Sequence, residues 1–244
     1  AAAIVNARDG LLPQDKCEAI VAACDELVAG ELDDHFPLLV WQTGSGTQTN
    51  MNVNEVIANR AIQLLGGELG SQKPVAPNDD VNKSQSSNDT FPTAMHLAAL
   101  GALDSMLLPE MELLAEAIEA KAQGWMDVAK IGRTHLQDAV PLSVGQEWSA
   151  WAEALRASIV DLGVAREGMM EIALGGTAVG TGLNAPEGFS EDVAKEIGRL
   201  TRLPIRTASN KFYAQATLDP TVRLSASLRG VAVALVKIAN DVRW

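Results

Sequence analysis

Residues 220–244 read Pro-Thr-Val-Arg-Leu-Ser-Ala-Ser-Leu-Arg-Gly-Val-Ala-Val-Ala-Leu-Val-Lys-Ile-Ala-Asn-Asp-Val-Arg-Trp. Within them Leu224, Leu228, Val231, Leu235, Ile238 and Val242 recur at alternating steps of four and three, which puts all six on one seam of a long helix. No helix-ending Gly or Pro follows. A second long helix is expected from Pro141, a favoured first-turn position, to about Ile172. A third apolar stripe joins Leu100, Leu103, Leu107, Leu114 and Ile118, with Pro109 expected to kink or interrupt it. Three such stripes have more apolar face than they can cover among themselves, so partner helices are expected from further sequence or from other subunits.

Nearer the N-terminus, Cys17, Ile20, Val21, Cys24, Leu27 and Val28 mark an amphipathic helix over 14–29 that Gly30 can close. Another helix is expected near Val53–Leu65, stopped by Gly66-Gly67. The composition agrees. Of 244 residues only ten are aromatic, five Trp, four Phe and one Tyr, while 47% are hydrophobic. Such a core is mostly Ala, Leu, Val and Ile, which suits closely packed helices and argues against an all-β sandwich. The expected class is all-α, a bundle of long helices.

Nineteen basic against 31 acidic residues leave a net charge of −12, which excludes broad attraction to nucleic acid or to an anionic membrane. Any anionic ligand must be held by local groups. Cys17 and Cys24 stand too far apart along a helix to bridge, and His35, His96 and His135 share no metal-ligand spacing, so a zinc or iron–sulfur centre is not expected. The apolar stretches fall short of the roughly 20 residues that cross a bilayer, and residues 1–6 lack the basic start of a secretion signal. A soluble protein of a reducing compartment is expected.

Three segments rich in short polar side chains, Gly44–Asn54, Asn78–Asp89 and Gly132–Asp138, each precede an expected helix. A helix start offers unpaired N–H groups and a partial positive charge, and Ser or Asn side chains add donors, so small carboxylates fit there. Ser86-Ser87-Asn88 also reads as an ordinary helix cap. His135, flanked by Thr134 and Gln137, is the candidate acid–base group, with a structural role as the alternative. His96 and His35 read as structural or solvated. The run Gly175–Gly182 matches neither the dinucleotide nor the P-loop pattern and is read as a backbone turn between helices.

The run Trp41-Gln42-Thr43-Gly44-Ser45-Gly46-Thr47-Gln48-Thr49-Asn50-Met51-Asn52, then 77–89 (PNDDVNKSQSSND), then Gly132-Arg133-Thr134-His135-Leu136-Gln137-Asp138-Ala139, resembles the successive signatures of class II fumarase. The likeness continues through Gly175–Asn184, Asn210-Lys211-Phe212 and Lys237-Ile238-Ala239-Asn240-Asp241. The Ser-Ser-Asn and Thr-His forms resemble fumarase more than aspartate ammonia-lyase, which typically carries Ser-Thr-Asn and Thr-Gln. Argininosuccinate lyase shares the Thr-His-Leu-Gln stretch but not the first two motifs.

The resemblance implies the helix bundle of the fumarase/aspartase superfamily, with residues 1–85 in an N-terminal, mostly helical domain and 86–244 in a central bundle. It implies a hydro-lyase that interconverts L-malate and fumarate. By similarity, Ser45, Gly46, Thr47, Ser86, Ser87, Asn88 and Thr134 would bind the substrate carboxylates, and His135 would assist proton transfer to or from water. Pro77, Asn78 and Asp79 match a second dicarboxylate position, although Ala76 stands where the family usually has His, and Tyr213 replaces a common Glu. No metal or cofactor is implied. A homotetramer is, with each active site shared between three subunits, in the cytoplasm or, in a eukaryote, the mitochondrial matrix. The family's proton-abstracting Ser lies on a Gly-Ser-Ser-x-Met-Pro-Gly-Lys loop expected after Trp244, so the chain reads as an internal fragment, its fold incomplete at both ends. The alternatives are an enzyme like aspartate ammonia-lyase and a non-catalytic scaffold of the same superfamily.

Overall fold

The computed structural model describes residues 1–39 and 44–244; Trp41, Gln42 and Thr43 of the first motif lie outside the described residues. The chain forms two compact units, one of Ala1–His96 with Met170–Leu218, the other of Leu97–Met169 with Asp219–Trp244. This differs from a sequential division at residue 85, because the chain leaves the first unit through one helix and returns to it at 170.

In the first unit, α1 (Ala2–Arg8), α2 (Gln14–Val28) and α3 (Thr47–Leu64) enclose a core. Cys17, Ile20 and Ala23 of α2 meet Ile57, Ala58, Ala61 and Ile62 of α3, with Leu12, Val75 and Val81 closing the cluster. Ala23 and Ala61 are fully buried. Such small side chains let helix axes approach and leave dispersion contacts to the Ile residues beside them. Helix α3 begins at Thr47, not near Val53 as expected. Ser, Thr and Asn are poor interior residues yet good ones for a first turn, and here they fill that turn.

The same unit contains α7 (Phe189–Thr201), α8 (Lys211–Ala216) and a two-residue parallel pairing of β3 (Glu171–Ile172) with β4 (Arg206–Thr207). Helix α7 buries Phe189, Val193, Ala194 and Ile197, a single face at helical spacing.

A helical run of 38 residues starts at Ser87: α4 (Ser87–Ala102), a π turn over Leu103–Leu107, then α5 (Leu108–Gly124). Pro109 sits in the first turn of α5. Its missing N–H and its ring would disrupt a continuous α ladder, and the π turn absorbs the offset without stopping the helix. The run is therefore longer and more apolar than expected: its best 18-residue window has a mean hydropathy of 1.3, enough by length and composition to cross a membrane. Two of its polar side chains bond to other elements. Asp104, in the π turn, pairs with Arg166 through two 2.6 Å bonds, and His96 Nδ1 lies 3.0 Å from the Glu171 carbonyl.

In the second unit, α6 (Val144–Met169) packs on α5 and on α9 (Asp219–Arg243). Trp151 Nε1 donates to Asp241 at 3.1 Å, and Trp125, Trp148 and Trp151 stack edge to face and tilted with centroids 4.8 Å apart. Helix α6 starts after Pro141 and ends before Ile172, because residues 129–143 form an antiparallel hairpin, β1 (Ala129–Thr134) with β2 (Gln137–Ser143), where a loop was expected. On α9, Leu224 and Val231 of the seam are buried, while Leu228, Leu235 and Val242 stay 38–61% exposed.

Candidate active site

The first and second polar motifs open adjacent helices of the first unit. Gly46 precedes α3 with φ +71°, a left-handed conformation, and a Cβ there would come within 2.3 Å of the Phe91 ring of α4. Only glycine allows that approach. One turn later Asn50, buried, donates to Ser87 Oγ at 2.8 Å and to Asn82 Oδ1 at 3.3 Å. The starts of α3 and α4 are thus tied side by side, bringing Ser45, Gly46 and Thr47 to Ser86, Ser87 and Asn88. Two helix N-termini concentrate donors and positive potential on one patch of an acidic chain. Ser45 Oγ and Thr47 Oγ1 lie 3.2 Å apart, both residues exposed.

Ser86 does cap α4: its Oγ accepts from the Asn88 amide at 3.2 Å. A group that the motif reading passed over does more. Asp89, fully buried, accepts from the Ser86 amide at 2.9 Å and from the Gly175 and Thr177 amides at 3.0 and 2.7 Å. Burial pushes its carboxyl above the usual range, against the pull of those N–H groups toward the charged form. Asn88 donates to the Ala178 carbonyl at 2.8 Å. Asn6, 1% exposed, accepts from Ser84 Oγ at 2.8 Å and donates to the Lys83 carbonyl at 3.1 Å, which fastens the turn leading into Ser86. Only the polar identity of Asn6 inside an apolar helix hinted at this.

Pro77 opens a π turn over 77–81, with Asn78 and Asp79 exposed. The carboxylate that organises this turn is Asp80, which accepts from Lys16 Nζ at 3.0 and 2.9 Å and from the Ala76 amide at 2.7 Å.

Thr134 and His135 belong to the second unit. His135 and Leu136, with φ +50° and +63°, form the two-residue link of the hairpin between the paired Thr134 and Gln137. Such a turn favours Asn-Gly, because a side chain with positive φ is strained. Both residues are exposed. With Lys130, Arg133, Lys237, Asp241 and Trp244, His135 lines a cavity of about 850 Å³. Among the described residues no three His, Cys, Asp or Glu side chains gather as metal ligands.

The glycine run is a turn whose geometry demands glycine. Gly175 and Gly180 have φ +94° and +101°, and a Cβ on them would approach Ser190 to 2.4 Å and Phe212 to 2.8 Å.

Comparison with known proteins finds that a family model described as lyase matches residues 1–244. The class II fumarate hydratase of Methanosarcina acetivorans is 59% identical over 244 residues, all of this chain and 50% of that protein. The mitochondrial fumarate hydratase of Danio rerio is 58% identical over 100% of this chain and 48% of its own. Among solved structures, the class II fumarase of Schistosoma mansoni superposes with a TM-score of 0.94 at 43% identity, covering 98% of this chain and 53% of that one. A fumarate lyase:delta crystallin of Brucella melitensis bound to cobalt gives 0.95 at 43%, covering 99% and 52%. The chain spans about half the length of the curated relatives it matches.

Proposed function

The chain belongs to the lyase family whose model spans its whole length, and from that premise we propose that it supplies part of the active site of a fumarate hydratase. The observation that carries this reading is the junction of two helix starts, α3 and α4, presenting Ser45, Gly46, Thr47, Ser86, Ser87 and Asn88. Dehydrating malate removes a weakly acidic proton from the carbon beside a carboxylate, and negative charge builds on that carboxylate. Preorganised donors aimed at it stabilise the developing charge. Neutral hydroxyls, amides and helix N-termini supply these donors without a cationic cluster, which reconciles a net charge of −12 with a dianionic substrate.

Thr134 is the proposed further donor, and His135 the group that passes a proton to the leaving hydroxide or takes one from the attacking water. The imidazole that would do so is exposed. Carbon deprotonation is assigned to the Ser of the downstream Gly-Ser-Ser-x-Met-Pro-Gly-Lys loop of the family, in the whole protein. Pro77, Asn78 and Asp79 are proposed as a second dicarboxylate position, weakened by the lack of an imidazole at Ala76. Val222, Val233, Val236 and Val242 of α9, each 60–65% exposed, support the assembly into a homotetramer with shared sites. The proposed setting is the cytoplasm, or the mitochondrial matrix in a eukaryote.

The test is an absorbance assay at the fumarate band on the full-length protein. Malate-dependent formation of fumarate is expected. No such signal, with ammonia released from aspartate instead, moves the assignment to an aspartate ammonia-lyase; silence toward both leaves a scaffold.

A further inference from the structure

Between β3 and the glycine turn, residues 172–178 follow no helix and no sheet beyond Ile172, so their backbone groups need other partners. Side chains meet them one after another. The Leu174 amide donates to Thr93 Oγ1 at 3.1 Å, and that hydroxyl donates to the Asp89 carbonyl at 2.7 Å. The Gly175 and Thr177 amides converge on a single carboxylate oxygen of Asp89. The carbonyls of Ile172 and Leu174 accept from Lys211 Nζ at 3.1 and 2.9 Å, and its third hydrogen goes to Thr207 Oγ1. Gln215 Nε2 donates to the Thr177 carbonyl at 2.6 Å.

An anion and a cation thus hold one short segment by its amides and its carbonyls respectively. Lysine suits the second task, since its three hydrogens diverge tetrahedrally from one atom toward three acceptors, where a planar guanidinium would not reach all three. Gly176 keeps α8 close enough for this, because a Cβ there would come within 2.5 Å of Gln215 Oε1. Asp89 is fully buried and Lys211 half-buried, so both charges bear a desolvation cost that these hydrogen bonds offset. Asp89 is also the residue directly after Ser86-Ser87-Asn88, and Asn88 reaches back to the same segment at Ala178.

We propose that Asp89 and Lys211 are positioning residues for the reaction: they clamp residues 172–178 against the first turn of α4 and so fix Ser86, Ser87 and Asn88 where the substrate carboxylate is received. This rests on the hydro-lyase reading above. Misplaced donors weaken capture of the dianion before they touch the proton-transfer groups, which lie on other elements.

The experiment compares Lys211→Met and Thr93→Val with the unaltered full-length enzyme, using fumarate as the probe and protein whose sedimentation and circular dichroism match the unaltered form. Lys211→Met is expected to raise KM about tenfold while kcat changes less than about threefold. Thr93→Val, which keeps both charges and removes one hydroxyl, is expected to raise KM about threefold, and it decides the matter if Lys211→Met does not fold. Lower thermal stability with KM unchanged would reduce the clamp to ordinary packing and overturn the proposal. Absence of hydration by the unaltered enzyme would instead remove the hydro-lyase reading itself, and the positioning role with it.

Discussion

At the scale of single residues, His135 combines exposure with a strained backbone. Replacing it with Asn, which tolerates positive φ well, keeps the turn and removes the titratable ring. A fall in turnover of about 10²–10⁴-fold is expected, with little change in the melting temperature. Equal turnover in the fumarate assay would take His135 out of its assigned role. Gly46 makes the opposite case, a residue with no chemistry whose loss disturbs the site. Gly46→Ala meets both the +71° φ and the Phe91 ring. A loss on the order of 1–3 kcal/mol by urea unfolding is expected, along with a raised KM. His135 and Gly46 were both legible as members of motifs. Their backbone conformations were not, since positive φ in His and Leu runs against local preference and is enforced by the strands on either side.

Among the elements, α2 followed from periodicity, beginning and ending within a residue of its expected bounds, whereas α1, α7 and α8 were not expected. The hairpin did not. Lys130 to Val140 has neither clean alternation nor an Asn-Gly turn, and its strands are mostly exposed, so period-two patterning is missing. Pro141 favours a helix start locally, but strand pairing with Ile131 overrides it. Between α2 and α3 the fit is tight: Ala61→Leu would force a side chain into a fully buried position and is expected to cost about 1–3 kcal/mol in urea unfolding.

The clamp on residues 172–178 adds a dependence on pH. Burial lowers Lys211 to about 8 from its ordinary 10.5, with Glu191, Asp89 and Glu171 opposing the shift. Below the folded value both states hold the proton, and the folded chain bears the full desolvation penalty. Between about 8 and 10.5 the unfolded chain keeps a proton that the folded chain has shed, so this group makes stability rise with pH. The urea midpoint of the unaltered protein is expected to rise relative to that of Lys211→Met from about pH 7.5 to about pH 9.5. A constant difference would show that the lysine titrates elsewhere.

For the whole molecule, the apolar residues left on α9 set the prediction. Val233→Asp and Val236→Asp place charges on a face that is 60–65% exposed within one chain, so neither should disturb the fold of that chain. If this face joins subunits, as proposed, each variant of the full-length protein should sediment as a smaller species with much reduced turnover. Unaltered sedimentation would exclude that face from the assembly.

The sequence by itself determined the helical class, the paucity of aromatic packing, the apolar seams and the identity of the polar motifs, because these depend on side-chain type and on spacing along one helix. Tertiary structure alone decided that α3 and α4 start side by side, that Pro109 is absorbed by a π turn, and that Asp89 and Lys211 hold the same backbone segment. Those outcomes depend on contacts between residues 37 to 88 positions apart or on backbone offsets between turns, and neither leaves a periodic trace in the chain.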